Sequence, residues 1–167
     1  TDICCIKLSP ERSNQLDRKD DVLSVTGRRL GGMDCDKSLV LKAIAPEMGM
    51  GLKMINGLPV PPTYFSDMCA VDNIPALTRF FSDDYGLDIS QTMSVIKEPA
   101  QLERLLIVQE NKLSARVVNS ARLAKELLSS KQNITFPLHY IEDDFDVEIS
   151  QDSLKKALKP WLDKVKA

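Results

Sequence analysis

The sequence predicts an α+β domain, with two β-hairpins packed against a long helix and several shorter helices in two layers. Three observations predict it. Strand-like stretches come as two pairs, each joined by a polar loop that suits an antiparallel hairpin. Between the pairs, apolar residues recur mostly at spacings of three, four or seven: Leu102, Leu105, Leu106, Leu113, Val117, Ala121, Ala124 and Leu128. The 167 residues are 43% hydrophobic and 28% charged, enough to bury a real core.

Residues 3–8 read as a strand whose continuous apolar start predicts burial on both faces. Residues 9–20 are a polar loop, and residues 21–26 return as the second strand, ended by Gly27. A basic pair, Arg28-Arg29, leads to Gly31-Gly32. Two adjacent glycines let another group approach the backbone closely, and a helix start behind them offers N–H groups that suit a phosphate or a sugar. The same pattern also marks a plain turn. Asp34 can cap that helix and Asp36 sits in its first turn. Leu39 to Ile44 carry its apolar face, and Pro46 and Gly49 end it.

Residues 48–62, rich in Gly, Met and Pro, predict a surface excursion with little regular structure, and Pro62 suits a short helix start. Asp72 or Asn73 caps a helix with Pro75 in its first turn, and residues 90–96 form another short helical turn. Residues 98–130 read as one long helix, or two with a break near Ser114 or Ser120. Residues 133–140 alternate as a strand that Pro137 favours at an edge, residues 145–149 return, and Ser150 caps a last helix bent or restarted at Pro160.

Composition narrows the function classes. A formal charge of −2 supplies no basic field, so a general nucleic-acid binder is not expected. No apolar run reaches the roughly 18 residues of a membrane span, no secretory leader is visible, and a cytoplasmic protein is expected. Cys4, Cys5, Cys35 and Cys69 lack C-x-x-C spacing, which points to buried, reduced thiols. With His139 the only histidine, no metal site is expected. The sequence starts inside a strand without an initiator Met and reads as a piece of a longer protein.

Arg122, Lys125 and Ser129 share one helix face, where a cation and a hydroxyl can grip ligand hydroxyls or phosphate. Leu123, Ala124, Leu127 and Leu128 lie on the other side and would anchor the helix. A solvated helix face has the same composition, and Arg122 can pair with Glu126 four residues on. His139 and the acids Glu142, Asp143 and Asp144 read as hairpin and turn residues, and Met48, Met50, Met54, Met68 and Trp161 as packing. No phosphate-loop, nucleophile-elbow or dinucleotide-binding motif is present.

Several stretches in order carry a family likeness: TDICCIKL with LGGMDCD, then SARLAKELLSS, then FPLHYIEDDFDVEISQDSLKKAL, with MGMG and AVDNIPA between. Together they resemble the nucleotide-binding domain of DnaK-type heat-shock chaperones, within the actin-like ATPase fold, most like the divergent YegD branch. The resemblance covers nearly the whole chain. It implies that residues 1–45 form the strand hairpin and helix at the base of the second lobe, and residues 46–167 its upper helical and hairpin subdomain. It also implies that Asp2 is an acid near metal and phosphates. Gly31 and Gly32 would lie against the ribose, Lys125 would contact the ribose, and Ser129 would sit beside the adenine.

Arg122 stands where the family usually has Glu, and Glu126 where it usually has an Arg that stacks on adenine. The charges are exchanged, and Glu126 cannot make that cation–π contact. The resemblance implies ATP or ADP with Mg in the full-length protein, with no tight nucleotide binding and no turnover by these residues alone. Its partners would be nucleotide and a docking protein such as an exchange factor. The alternative is a protein-interaction module that has lost nucleotide chemistry, in keeping with the exchanged charges and the insertion at residues 48–62.

Overall fold

The computed structural model describes residues 2–12, 14, 16–27 and 31–166, except the side chains of Trp161, Lys164, Val165 and Lys166. Thr1, the pair Arg28-Arg29 and the packing of Trp161 lie outside the described residues. The architecture is α+β; the described residues form seven α-helices and two separate two-stranded antiparallel sheets.

Strand β1 (Asp2–Ile6) pairs with β2 (Val22–Gly27), Asp2 opposite Gly27, with an irregular step between Cys5 and Ile6. Every residue of both strands is exposed, including Ile3 at 53% and Val25 at 68%. The prediction of burial on both faces is therefore corrected, and this hairpin is not packed against the helices. An apolar run reports which surface gains from being covered, and here no other described element covers it. Cys4 and Cys5 are accordingly surface thiols, whereas Cys35 and Cys69 are buried as expected. The connecting loop is clasped by Asp21, buried between Arg12 and Arg18, whose Nε lies 2.7 Å away.

The core belongs to the helices and the second sheet. Helix α1 (Gly32–Leu39) widens into a π turn (Val40–Ile44) and tightens into a 3₁₀ turn (Ala45–Met48). Pro46 sits in that last turn, and Gly49 leaves it at φ +97°, so the predicted helix end is observed. Leu39, Val40, Ile44, Ala45 and Met48 are fully buried. The next segment is less of an excursion than predicted. Met48 and Val60 are core residues, and backbone bridges pair Lys53 with Pro59 and Met54 with Ile96. Its tip, residues 55–59, stands in solvent and carries the exposed apolar side chains Ile55 and Leu58.

Helix α2 (Pro62–Met68) starts at the expected proline, and α3 (Ile74–Phe80) is capped by Asn73, whose Oδ1 accepts from the Ala76 N–H. Helix α4 (Asp83–Met93) is longer than the turn predicted at residues 90–96, because Ser82 caps it a full two turns earlier. The predicted long helix is two, α5 (Pro99–Glu110) and α6 (Ser114–Leu127). Lys112 adopts φ +55° at the break, just before Ser114. Both helices bury apolar faces in one core, so their apolar spacing runs on while the backbone turns.

Strands β3 (Asn133–Pro137) and β4 (Asp146–Ser150) bury Ile134, Val147 and Ile149 and turn polar residues outward. His139 lies in the turn beyond β3, paired with Asp146 at 2.9 Å. Ser150 Oγ accepts from the Ser153 N–H, and α7 (Gln151–Lys166) continues through Pro160 as one helix. Among the described residues no helix is long and apolar enough to cross a membrane.

Candidate nucleotide-facing site

Helices α1 and α6 pack side by side, and their contact assembles the site. Gly31 precedes α1 with extended backbone, φ −139° and ψ 179°, a conformation open to any residue. Its N–H donates to Asp34 Oδ2 at 2.8 Å. Asp34 therefore caps from the third helical position and Gly31 occupies the cap position itself.

Neither glycine is demanded by the fold. A Cβ built on Gly31 meets nothing within 4 Å, and one on Gly32 meets only Lys125 Nζ at 4.0 Å. The pair leaves a bare backbone notch beside one ammonium group. That ammonium arrives from 93 residues along the chain, held at 2.5 Å from Asp36 Oδ1. Asp36 is buried at 5% exposure, while the Lys125 side chain keeps 27%. Cys35, between the two acids, is buried as well. Burial pushes its thiol above the usual range, Lys125 pulls it down, and Asp36 and Asp34 push it up.

The other predicted positions lie at the outer end of α6. Arg122 Nη1 pairs with Glu126 Oε1 at 3.0 Å, and its Nε donates to Asn119 Oδ1 at 3.1 Å. Ser129 lies in the turn after α6, its hydroxyl folded back onto the Glu126 carbonyl at 2.6 Å. The expected anchor is half right: Ala124 and Leu128 are buried, but Leu123 and Leu127 are 39% and 43% exposed. The buried stripe runs instead through Val117, Ser120, Ala121, Ala124 and Leu128. Asp2 sits at the end of β1 and makes no hydrogen bond or ion pair with the other predicted site residues among those described.

The structure thus joins Gly31, Gly32 and Lys125 into one surface, keeps Arg122, Glu126 and Ser129 as a separate local cluster, and leaves Asp2 on the hairpin. The residue that sequence reasoning missed is Asp36, taken only as a first-turn acid. Its signal was its position three and four residues before Leu39 and Val40, on the face that turns inward. No protein-family model matches the chain, and no solved structure matches it.

Proposed function

We propose that this chain forms one wall of the nucleotide cleft in an ATP-binding, chaperone-like ATPase, with the Gly31-Gly32 notch and Lys125 facing the ribose. The observation that carries the proposal is the Lys125 ammonium standing over Gly32, with no Cβ on either glycine to block a planar or ring-shaped ligand. Around the notch, Asp34 and Asp36 offset Lys125 and the positive end of α1, so its charge balance suits hydroxyls better than phosphate. Asp2 offers a single hard oxygen donor of the type Mg prefers, and no group of three metal-ligating side chains gathers among the described residues. When bound, Mg would neutralise phosphate charge. In that chemistry the residues present here bind and orient the sugar side.

A second reading, a protein-docking module that has lost nucleotide chemistry, is favoured by the closed Arg122–Glu126 pair and by the exposed apolar tip at Ile55 and Leu58. Calorimetry of the full-length protein with ATP and ADP distinguishes the two. The nucleotide proposal expects saturable binding that Lys125→Ala weakens at least about tenfold, the order of a hydrogen bond to a charged group. Equal affinity in both proteins contradicts it.

A further inference from the structure

We infer that Asp36 is a positioning residue for ligand binding, acting only through Lys125; this rests on the nucleotide-facing role proposed above. A lysine has four rotatable side-chain bonds, and a partly exposed ammonium on a helix surface samples many of their rotamers. Lys125 does not have that freedom. Its Nζ is fixed 2.5 Å from a carboxylate on the neighbouring helix, and that carboxylate is itself buried between α1 and α6. The carboxylate nearest along α6, Glu126, is engaged by Arg122 and does not compete.

Two consequences follow for a ligand in the notch. Asp36 accepts one of the three ammonium protons, so the ammonium sits over Gly32 with donors to spare for sugar hydroxyls. Asp36 also cancels the charge that Lys125 brings to the helix start, where an uncompensated cation would oppose the dipole. Buried acids of this kind are costly unless paired, so the contact is kept in one geometry rather than shared with water. The neighbouring acid does not compete for this role: Asp34 accepts from the Gly31 N–H, which leaves Asp36 for the interhelical contact.

The test is a double-mutant cycle in the full-length protein, read by ATP calorimetry, with thermal melting of each variant to report on folding. Asp36→Asn keeps the side-chain shape and an acceptor oxygen but removes the charge. The expected result is an affinity loss of about tenfold, like that of Lys125→Ala. The double variant is expected to bind no more weakly than Lys125→Ala alone, and Asp36→Glu to recover part of the loss. A merely structural Asp36 would weaken binding in proportion to lost stability and additively with Lys125→Ala, and that outcome overturns the inference. Full affinity in Asp36→Asn beside a weakened Lys125→Ala also overturns it, while leaving the nucleotide site standing. Unchanged affinity in Lys125→Ala, or no binding by the unaltered protein, removes the nucleotide site itself and the inference with it.

Discussion

Lys125 and Asp36 show how packing joins two charges that the sequence does not mark as partners. In the sequence, Lys125 is one cation on a polar helix stripe and Asp36 one acid in a first turn. Only the packing of α1 on α6 makes them partners. Other residues respond to burial rather than to pairing. Cys69, 2% exposed, has its thiol pushed from the ordinary 9.0 to about 12 by burial, with Lys37 pulling the other way. Burial, and then the hydrogen bond to Asp88, likewise push the Tyr64 phenol from 10.0 to about 12. Both groups are acids whose folded values are raised, so the unfolded chain ionises first. The stability they contribute is fully present below about pH 9 and is lost as pH rises toward 12. Urea unfolding should therefore show a lower midpoint at about pH 10.5 than at about pH 7.5. An unchanged midpoint would mean that neither group is held protonated by the fold.

At the scale of elements, several boundaries set by a cap or a proline are legible in the sequence, whereas the Ser82 cap of α4 is not and Pro160 leaves α7 unbroken. Asn73 before Pro75, Pro62, Ser150 and the Pro46–Gly49 stop all act where the sequence placed them. What was not legible depends on contacts between distant segments. Apolar spacing runs on from Leu102 to Leu128 because α5 and α6 face the same core, so the period leaves one helix and two equally open; of the sequence's alternatives, the break near Ser114 is the one observed, at Lys112. Helix α4, started early by the Ser82 cap, also meets α5 through a bare backbone position. A Cβ on Gly86 would lie 2.9 Å from Gln109 Oε1, and Gln109 Nε2 donates to the Ser82 carbonyl at the α4 cap. Gly86→Ala should force that side chain aside and destabilise the protein by about 1–3 kcal/mol, despite the higher helix propensity of alanine. Chemical denaturation measures this directly, and a stabilised variant would show that the α4–α5 contact adapts freely.

For the whole molecule, the α+β class and the order of elements follow from the sequence, while the division of labour between them does not. The helices and the β3–β4 sheet share one core, from Leu39 on α1 to Ala157 on α7. The β1–β2 hairpin carries apolar residues on two exposed faces, a form that is marginal for two strands in water. Its apolar run predicted a buried strand because hydrophobicity records what would be covered, and no described element here does so. The candidate site sits where α1 enters the helical core; the chemistry of the sequence marks its two glycines and its lysine separately, and only the family likeness assigns them to one ligand. The glycines need no special backbone angle, and the lysine needs its distant acid to be held.

That independence of the glycines from the fold makes the central claim testable with one substitution. Gly32 has helical backbone and only Lys125 Nζ near its vacant Cβ direction, at 4.0 Å. Gly32→Ala should leave the protein as stable as before or raise its stability by up to about 1 kcal/mol. In the same variant, ATP affinity of the full-length protein measured by calorimetry should fall at least about tenfold, because a methyl group would fill the surface proposed to receive the sugar. Undiminished ATP affinity in a stably folded Gly32→Ala protein would contradict the assignment of this notch to a nucleotide.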